Sequence, residues 1–231
     1  MCGIFGSNDL ERYITLYDLN KDRGNFTYGS LYTYNEQEPF IHREEIDTLL
    51  SWNVGGYSDC TFYMGHTQSP TSAKRDFDQE TSHPFKHITW HVAHNGVLSN
   101  SKALAQKYEV DNPVDSAVIP VVIWHKMQEL YDPDVWMWER EQEAIKLACE
   151  ELEGTFSCWI HNAYTNNVYL VKCGSTLFAG DRQFSSSQPN DRMESLDEGG
   201  IYRLFHDADP GQEEWLRKVE EFQTSSPFFI L

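Results

Sequence analysis

The chain opens with a short apolar segment at residues 2–6 that places a cysteine at the second position. Ile4 and Phe5 predict a buried strand here. Because cysteine is small, we expect Met1 to be removed, which leaves Cys2 with both its thiol and a free α-amine. Such an amine titrates at about 7.7–8.0 and a thiol near about 8.5, so the amine can take the thiol proton. Cys2 is therefore a candidate nucleophile carrying its own base. The alternative is a small hydrophobic residue in a buried strand.

Length and charge narrow the class of protein. The 231 residues can bury one substantial core, and no Pro/Gly/Ser-rich linker divides them, so we expect a single domain over residues 2–231. The formal charge of −18 argues against direct nucleic-acid binding, which requires phosphate neutralisation. No apolar run has the length of a transmembrane helix, and the N-terminus lacks a signal segment. We expect no membrane partner and a cytoplasmic protein.

The cysteines and histidines do not predict a metal or a disulfide framework. The five cysteines are odd in number, widely spaced and without a Cys-x-x-Cys pair: Cys2, Cys60, Cys149, Cys158 and Cys173. This usage suits a reducing compartment. Four histidines lie between positions 83 and 94, but on a strand His87 and His91 would lie about 13 Å apart. Gly3 and Gly6 are not followed by the Lys-Ser/Thr of a phosphate loop. We therefore expect no metal and no cofactor.

The apolar pattern predicts strands at both ends of the sequence and helices between them, which indicates a layered α+β domain. The predicted strands cover residues 2–6, 26–34, 61–65, 88–93, 155–163, 168–172, 175–179 and 201–205. The predicted helices cover residues 10–17, 44–52, 102–108, 115–130, 136–152 and 213–222. Because Pro120 lies inside the fourth of these, we expect a kink or a later start. Residues 183–190 are polar and predict a loose loop, and residues 227–231 form an apolar tail that could dock on the body or a partner.

Five motifs occur in one order along the sequence. They are Met-Cys-Gly-Ile-Phe-Gly at the start, Arg-Gly at 23–24, Gly-His-Thr-Gln-Ser-Pro-Thr at 65–71, Ser-His-Pro-Phe at 82–85 with Ala-His-Asn-Gly-Val-Leu-Ser-Asn at 93–100, and Val-Asp-Ser-Ala-Val-Ile at 114–119. Their order and spacing resemble class II glutamine amidotransferase domains, which are N-terminal-nucleophile hydrolases. The resemblance covers most of residues 2–180 and is weakest from 181 to 231. It implies a four-layer α/β/β/α sandwich of the α+β class.

Amide hydrolysis needs a nucleophile, a proton carrier and hydrogen-bond donors for the developing oxyanion. Cys2 supplies the first two. Asn95 offers a side-chain amide, and Gly96 offers a backbone N–H that no Cβ obstructs. Each such donor contributes a factor of about 10²–10³ in rate. The alternative for Asn-Gly is a type I′ hairpin turn. The resemblance assigns the oxyanion role to both positions.

The resemblance also implies residues that bind a glutamine substrate. Asp115 matches the aspartate that pairs with the substrate α-amine, and its structural alternative is a helix N-cap. His66 and Thr67 belong to a motif beside the substrate. Arg23 is a further candidate, whose alternative is a structural ion pair beside a glycine turn.

Gln68 departs from the pattern of the family. Well-known relatives have an arginine here that binds the glutamine carboxylate through two hydrogen bonds. Gln68 can donate hydrogen bonds but carries no charge, a loss of roughly 1.5–3 kcal/mol per charged hydrogen bond. Either another cation such as Lys74 or Arg75 replaces it, or the donor is not free L-glutamine.

These residues predict a glutaminase module in which Cys2 forms a thioester and releases glutamate and ammonia. Only about fifty residues follow the recognisable domain, which is too few for a synthase, so we expect the ammonia acceptor on a separate subunit. Two alternatives stay open. One is an N-terminal-nucleophile amidase acting on another amide. The other is a catalytically degenerate binding or regulatory subunit, which a retained Met1 would favour.

Overall fold

The structure is a computed structural model that describes residues 2–35, 38–46, 60–69, 76–205 and 214–223. Its helices are α1 (Leu10–Asn20), α2 (Ser101–Lys107), α3 (Val118–Glu129) and α4 (Met137–Glu151), with short 3-10 turns at Gln79–Thr81 and Asp115–Ala117. Its strands are β1 (Gly3–Ser7), β2 (Thr27–Thr33), β3 (Phe40–Glu45), β4 (Phe62–Gln68), β5 (Phe85–His87), β6 (Trp90–Leu98), β7 (Gly154–Asn162), β8 (Asn167–Cys173), β9 (Phe178–Gly180), β10 (Gln183–Ser185), β11 (Glu194–Ser195), β12 (Gly200–Leu204) and β13 (Leu216–Glu221). Met1, Lys74, Arg75 and the predicted tail at 227–231 lie outside the described residues.

Two antiparallel sheets form the body of the molecule. The first sheet has the strand order β11-β9-β10-β1-β4-β2-β3, and the second has the order β13-β12-β8-β7-β6-β5. Helix α1 packs on the outer face of the first sheet through an aromatic cluster that includes Phe5 and Tyr13. Helices α3 and α4 cover the outer face of the second sheet. A third apolar cluster joins the inner faces of the two sheets. The predicted four-layer α/β/β/α sandwich of the α+β class is confirmed.

The space between the sheets, here called the inter-sheet gap, positions the candidate nucleophile. Ile4 on β1 and Ala93 on β6 both belong to the apolar cluster that fills this gap. Side chains alternate between the two faces of a strand. Cys2, two residues before Ile4, and Asn95, two residues after Ala93, therefore face the same gap from opposite sheets.

Helix α4 and the β7–β8 hairpin agree with the sequence predictions, and so does the start of α3. The predicted helix at 115–130 begins as a 3-10 turn, and its α-helical part starts at Val118. Pro120 is thus the third residue of α3. Because the first four N–H groups of a helix have no intrahelical acceptor, proline is tolerated there. Of the two expected outcomes, a kink or a later start of this helix, the structure shows the later start.

Three predicted elements are wrong. Residues 44 and 45 of the predicted helix at 44–52 end the edge strand β3, which pairs with β2; residues 47–52 lie outside the described part of the sequence. In place of the predicted helix at 213–222 the structure has the strand β13, which pairs with the open edge of β12 and shifts register once, between Ile201 and Tyr202. The predicted loop at 183–190 begins as β10, which pairs with β1. Within the described residues, no helix is long and apolar enough to cross a membrane.

Candidate active site

Cys2 lies immediately before β1 and is partly exposed. Its Sγ donates a hydrogen bond to the Ser69 carbonyl oxygen at 3.7 Å, and its own carbonyl oxygen accepts one from Arg23 Nε at 3.1 Å. Burial raises the pKa of the Cys2 thiol and the negative charge of Asp115 adds to the rise, while the Ser69 hydrogen bond and Arg23 lower it. A thiol with a raised pKa is protonated at neutral pH, so attack requires a base.

Asn95 is tied to the nucleophile strand through one buried hydroxyl group. Its Nδ2 donates to Ser186 Oγ at 3.2 Å, and the Ile4 backbone N–H donates to the same oxygen at 3.1 Å. The Ser186 N–H in turn donates to the Ile4 carbonyl oxygen at 2.8 Å. Because the amide nitrogen carries two hydrogens, one of them is still available to a bound group in the gap. Ser186 thus fixes Asn95 relative to the start of β1.

Sequence reasoning missed Ser186. It belongs to the stretch that predicted a loose loop, and it follows the three-residue strand β10 directly. Its place beside β1 depends on the register that pairs Phe5 with Ser185. The signal that the sequence offers is the run Ser185-Ser186-Ser187, which a polar loop would show equally well.

Gly96 occupies a backbone conformation that excludes other residues. Its φ of +152° lies where L-residues are rarely found, and a Cβ at this position would lie 2.0 Å from the Thr155 carbonyl oxygen. Asn95 and Gly96 pair with Ser157 and Phe156 in the middle of the β6–β7 ladder. The alternative interpretation of Asn-Gly as a hairpin turn is therefore wrong.

A buried histidine supports the strand that carries Asn95. His94 Nε2 lies 3.2 Å from the Thr155 carbonyl oxygen, and its Nδ1 lies 2.8 Å from Ser116 Oγ. A carbonyl oxygen only accepts, so Nε2 carries the hydrogen and Nδ1 accepts from the serine hydroxyl. Burial lowers the pKa of His94, which keeps the ring neutral. This arrangement connects β6 to the 3-10 turn that begins at Asp115.

Asp115 opens that turn with its carboxylate held by backbone groups. Oδ2 accepts from the Leu98 N–H at 2.9 Å, and Oδ1 accepts from the Ser116 N–H at 2.9 Å. The residue is partly exposed, and its charge acts on the Cys2 thiol. The N-cap position of this turn is Val114, which makes no side-chain capping bond, so the capping alternative does not describe Asp115. Pairing with a substrate amine stays a prediction, and the remaining lone pairs of a partly exposed carboxylate are compatible with it.

The side chains of the Gly-His-Thr-Gln motif alternate between the two faces of β4. Thr67 faces α1, where its hydroxyl donates to the Asn20 carbonyl oxygen at 2.9 Å, so the structure does not bring this hydroxyl to the gap. His66 faces the gap but is fully buried, with Nε2 at 3.0 Å from the His94 carbonyl oxygen. Burial lowers its pKa to about 3, so a neutral His66 joins the two sheets beneath the site.

Gln68 and Arg23 both lie beside the candidate nucleophile. Gln68 faces the gap, and its Oε1 accepts from Thr27 Oγ1 at 2.9 Å. Arg23 binds the Cys2 carbonyl oxygen through Nε and Thr176 Oγ1 through a terminal nitrogen at 3.3 Å. Neither of these Arg23 partners is a carboxylate, so the described contacts favour a role in holding the Cys2 backbone over a structural ion pair.

Weak sequence similarity links this protein to a curated protein of greater length. No family model matches the sequence. A protein named 7-cyano-7-deazaguanine synthase 2, from Sulfurisphaera tokodaii, is 22% identical over 174 residues, which is 70% of this protein and 35% of that one. The match therefore spans about a third of the length of that relative.

Solved structures give a stronger likeness. Glutamine phosphoribosylpyrophosphate amidotransferase from B. subtilis superposes with a TM-score of 0.67 at 19% identity, covering 96% of this protein and 49% of that one. A protein described as a glutamine aminotransferase class-II domain protein, from Silicibacter pomeroyi, gives a TM-score of 0.52 at 13% identity, covering 96% of this protein and all of that one. A protein described as a predicted glutamine amidotransferase, from Pseudomonas aeruginosa, gives a TM-score of 0.54 at 11% identity, covering 91% of this protein and 95% of that one. The protein thus has the fold of class II glutamine amidotransferase domains.

Proposed function

We propose that this protein is a glutaminase module that hydrolyses the side-chain amide of glutamine through a thioester on Cys2. The observation that carries the proposal is the link through Ser186, which holds the amide of Asn95 beside the strand that begins with the candidate nucleophile. The fold shared with glutamine amidotransferase domains supports the same chemistry.

The reaction begins when Cys2 Sγ attacks the amide carbon Cδ of the bound glutamine and its proton passes to the Cys2 α-amine. The new C–S bond places negative charge on the oxygen, which Asn95 Nδ2 and the Gly96 N–H stabilise. The protonated amine then gives its proton to the departing nitrogen, the C–N bond breaks, and ammonia leaves. Water attacks the thioester with the amine as base, the C–S bond breaks, and glutamate and the Cys2 thiol are released.

The surrounding residues account for the order of these events. Burial keeps the Cys2 thiol protonated until the α-amine removes the proton, so a reactive thiolate forms only when the amine is neutral. Arg23 holds the Cys2 carbonyl oxygen and so limits movement of the free N-terminus. Asp115 pairs with the α-amine of the substrate. His94 and Ser116 keep that aspartate and Asn95 in a fixed relation.

We infer that the ammonia is used by a synthase outside these 231 residues. The sequence relative is named as a deazaguanine synthase and is longer than this protein, which supports a deazaguanine base as the acceptor. A synthase supplied by this module should form its product with glutamine. Cys2→Ala should abolish that reaction, while ammonium salts should still support it.

The direct test uses protein whose Met1 has been removed, confirmed by intact mass spectrometry. Incubation with L-[δ-15N]glutamine should release labelled ammonia together with glutamate in equal amounts. Cys2→Ala should reduce this release by a factor of about 10³ or more, because the nucleophile is lost. Full turnover by Cys2→Ala would contradict the proposal. If the unsubstituted protein neither turned over glutamine nor became labelled on Cys2 by an electrophilic glutamine analogue, the result would favour a binding subunit.

A further inference from the structure

Gln68 is a buried polar residue that lies opposite the candidate nucleophile on the neighbouring strand. Gly3 pairs with Thr67 in the antiparallel β1–β4 ladder, so Cys2 lies opposite Gln68. Alternate β4 residues Phe62 and Met64 belong to the core between the sheets, and Gln68 follows the same alternation. The residue is 4% exposed. Its amide therefore forms part of the wall of the inter-sheet gap beside Cys2.

The orientation of this amide is fixed by Thr27. The Thr27 hydroxyl donates to Gln68 Oε1 at 2.9 Å, which directs the nitrogen away from that contact. Among the residues that the structure describes, none accepts a hydrogen bond from Gln68 Nε2. Gln68 thus offers two N–H hydrogens and no charge of its own to a bound molecule.

A glutamine bound for attack has three polar groups to place. Its side-chain amide lies against Cys2 and Asn95, and its cationic α-amine pairs with Asp115. The α-carboxyl group is the one left for Gln68. A free carboxylate there would be buried beside a neutral amide, and removing an ionised group from water is costly unless a cation compensates it. Arg23 directs two of its N–H groups to the Cys2 carbonyl oxygen and to Thr176, and within the described residues no hydrogen bond joins its guanidinium to Gln68.

We propose that the donor is a glutamine whose α-amine is free and whose α-carboxyl group is in amide linkage, as in a glutamine residue at the N-terminus of a peptide. The inference rests on the proposed function and names its substrate class. A neutral amide carbonyl accepts a hydrogen bond from Gln68 Nε2 and brings no charge to be compensated. Cys2 Sγ displaces ammonia from Cδ of this residue, and water then cleaves the thioester. The product is a glutamate residue with its α-amide intact.

The test compares L-glutamine with L-glutamine α-N-methylamide, using the complete Met1-free protein. Cleavage of the δ-amide releases ammonia, whereas cleavage of the α-amide releases methylamine, so the two bonds are distinguished by the product. We expect kcat/KM to be higher for the methylamide by about tenfold or more, the scale of one charge-assisted hydrogen bond. Gln68→Arg should reverse this preference, because the guanidinium pairs with the free carboxylate.

Thr27→Val is a second test of the same amide, because it removes the hydroxyl that orients Gln68 and keeps the shape of the residue at position 27. In Thr27→Val, the ratio of kcat/KM for the methylamide to kcat/KM for glutamine should fall toward one but not below it. Gln68→Arg should turn over free glutamine, which would show that the site can still process a substrate with a free carboxylate. A wild-type preference for free glutamine, whether it depends on Gln68 or on Lys74 and Arg75, would overturn this inference and leave the glutaminase proposal standing. No turnover of either compound, with no labelling of Cys2, would overturn both.

Discussion

Two buried polar clusters, one on the outer face of the second sheet and one in the inter-sheet gap, differ in whether their hydrogen bonds are complete. On the outer face, Glu141 of α4 is fully buried and its carboxylate accepts four hydrogen bonds of 2.6–2.7 Å from the β7–β8 hairpin. The four donors are Asn162 Nδ2, Thr165 Oγ1, Asn167 Nδ2 and the phenol hydroxyl of Tyr169. In the gap, the side-chain amides of Asn95 and Gln68 each make one hydrogen bond to a described residue, which leaves donor hydrogens unused within that part of the structure.

The difference separates structural polar groups from candidate functional ones. A carboxylate that fills its acceptor positions with protein donors has nothing left for a ligand, and it fixes a helix to a hairpin. A side-chain amide that makes one hydrogen bond to the protein is held in place. Its remaining N–H hydrogens can then bind a ligand, which is what a binding site requires. We therefore expect changes in the Glu141 cluster to alter stability, and changes around Asn95 to alter turnover.

The largest expected effect is on stability, from Glu141→Leu. The substitution removes the acceptor of two buried donors, Asn162 and Tyr169, and of two partly buried ones. An orphaned buried group costs about 1–3 kcal/mol, so we expect a loss of about 4 kcal/mol in the free energy of unfolding. Urea denaturation measures it. Glu150→Leu, an exposed position on the same helix, should change stability by less than about 0.5 kcal/mol. Equal losses of unfolding free energy in Glu141→Leu and Glu150→Leu would mean that the hydrogen bonds of Glu141 do not stabilise the fold.

Asn95→Ala should affect turnover instead. Removal of an oxyanion donor should lower kcat by a factor of about 10²–10³, while KM and the urea midpoint change little. Asn35→Ala, at an exposed position, is the matched control and should behave as the unsubstituted protein. If Asn95→Ala unfolded the protein as readily as Glu141→Leu, the distinction between the two clusters would fail.

Ser186→Ala should give a smaller effect of the same kind. Asn95 keeps its amide but loses the hydroxyl that holds it, so we expect kcat to fall by about tenfold with KM unchanged. Ser187→Ala, whose hydroxyl bonds Asn20 and not the Asn95 amide, should leave kcat within about twofold of the parent value. Ser186→Thr retains the hydroxyl and should restore part of the rate. A rise in KM at constant kcat would show that Ser186 acts on binding and not on the oxyanion.

The fold and the position of the candidate nucleophile could be predicted from the sequence because their signals are local. Cys2 and the Asn95-Gly96 pair stand in continuous motifs, and the alternation of β1 and β6 brings them into one gap. Ser186 could not be predicted, because its role follows from a strand register between residues far apart in the sequence. For the same reason the sequence does not show which residues of the motif at 65–71 face Cys2; the pleat of β4 separates Gln68 from Thr67.

The edges of the sheets were the least predictable elements. Residues 213–222 have an amphipathic pattern that suits a helix, and the open side of β12 decides that 216–221 pair as a strand instead. Glu141 shows a related limit. On a helix rich in charged residues, a glutamate predicts a solvated face, and only the packing of the hairpin reveals that this one is buried with donors around it.

The smallest predicted effect is a dependence of stability on pH from neutral histidines in the inter-sheet gap. Burial lowers the pKa of His66 and of His91 to about 3, and for His91 the neighbouring His161 and Lys86 add to the effect. An unfolded histidine titrates near about 6.5, so below that pH the unfolded protein binds protons that the folded protein does not. The contribution of these neutral rings to stability is complete above about pH 6.5 and is lost as the pH falls toward the folded pKa values.

Between about pH 6.5 and about pH 5.5, each of these histidines should remove about 1 kcal/mol from the free energy of unfolding. Urea titrations at the two pH values measure the difference, and His91→Asn should reduce it by that amount, whatever the substitution does to stability at neutral pH. The comparison uses the change in unfolding free energy with pH in each protein. It therefore separates the effect of protonation from the effect of the substitution on packing. An unchanged slope in His91→Asn would mean that this ring is protonated inside the folded protein, and the gap would then be far more polar than its apolar neighbours Ala93 and Trp159 indicate.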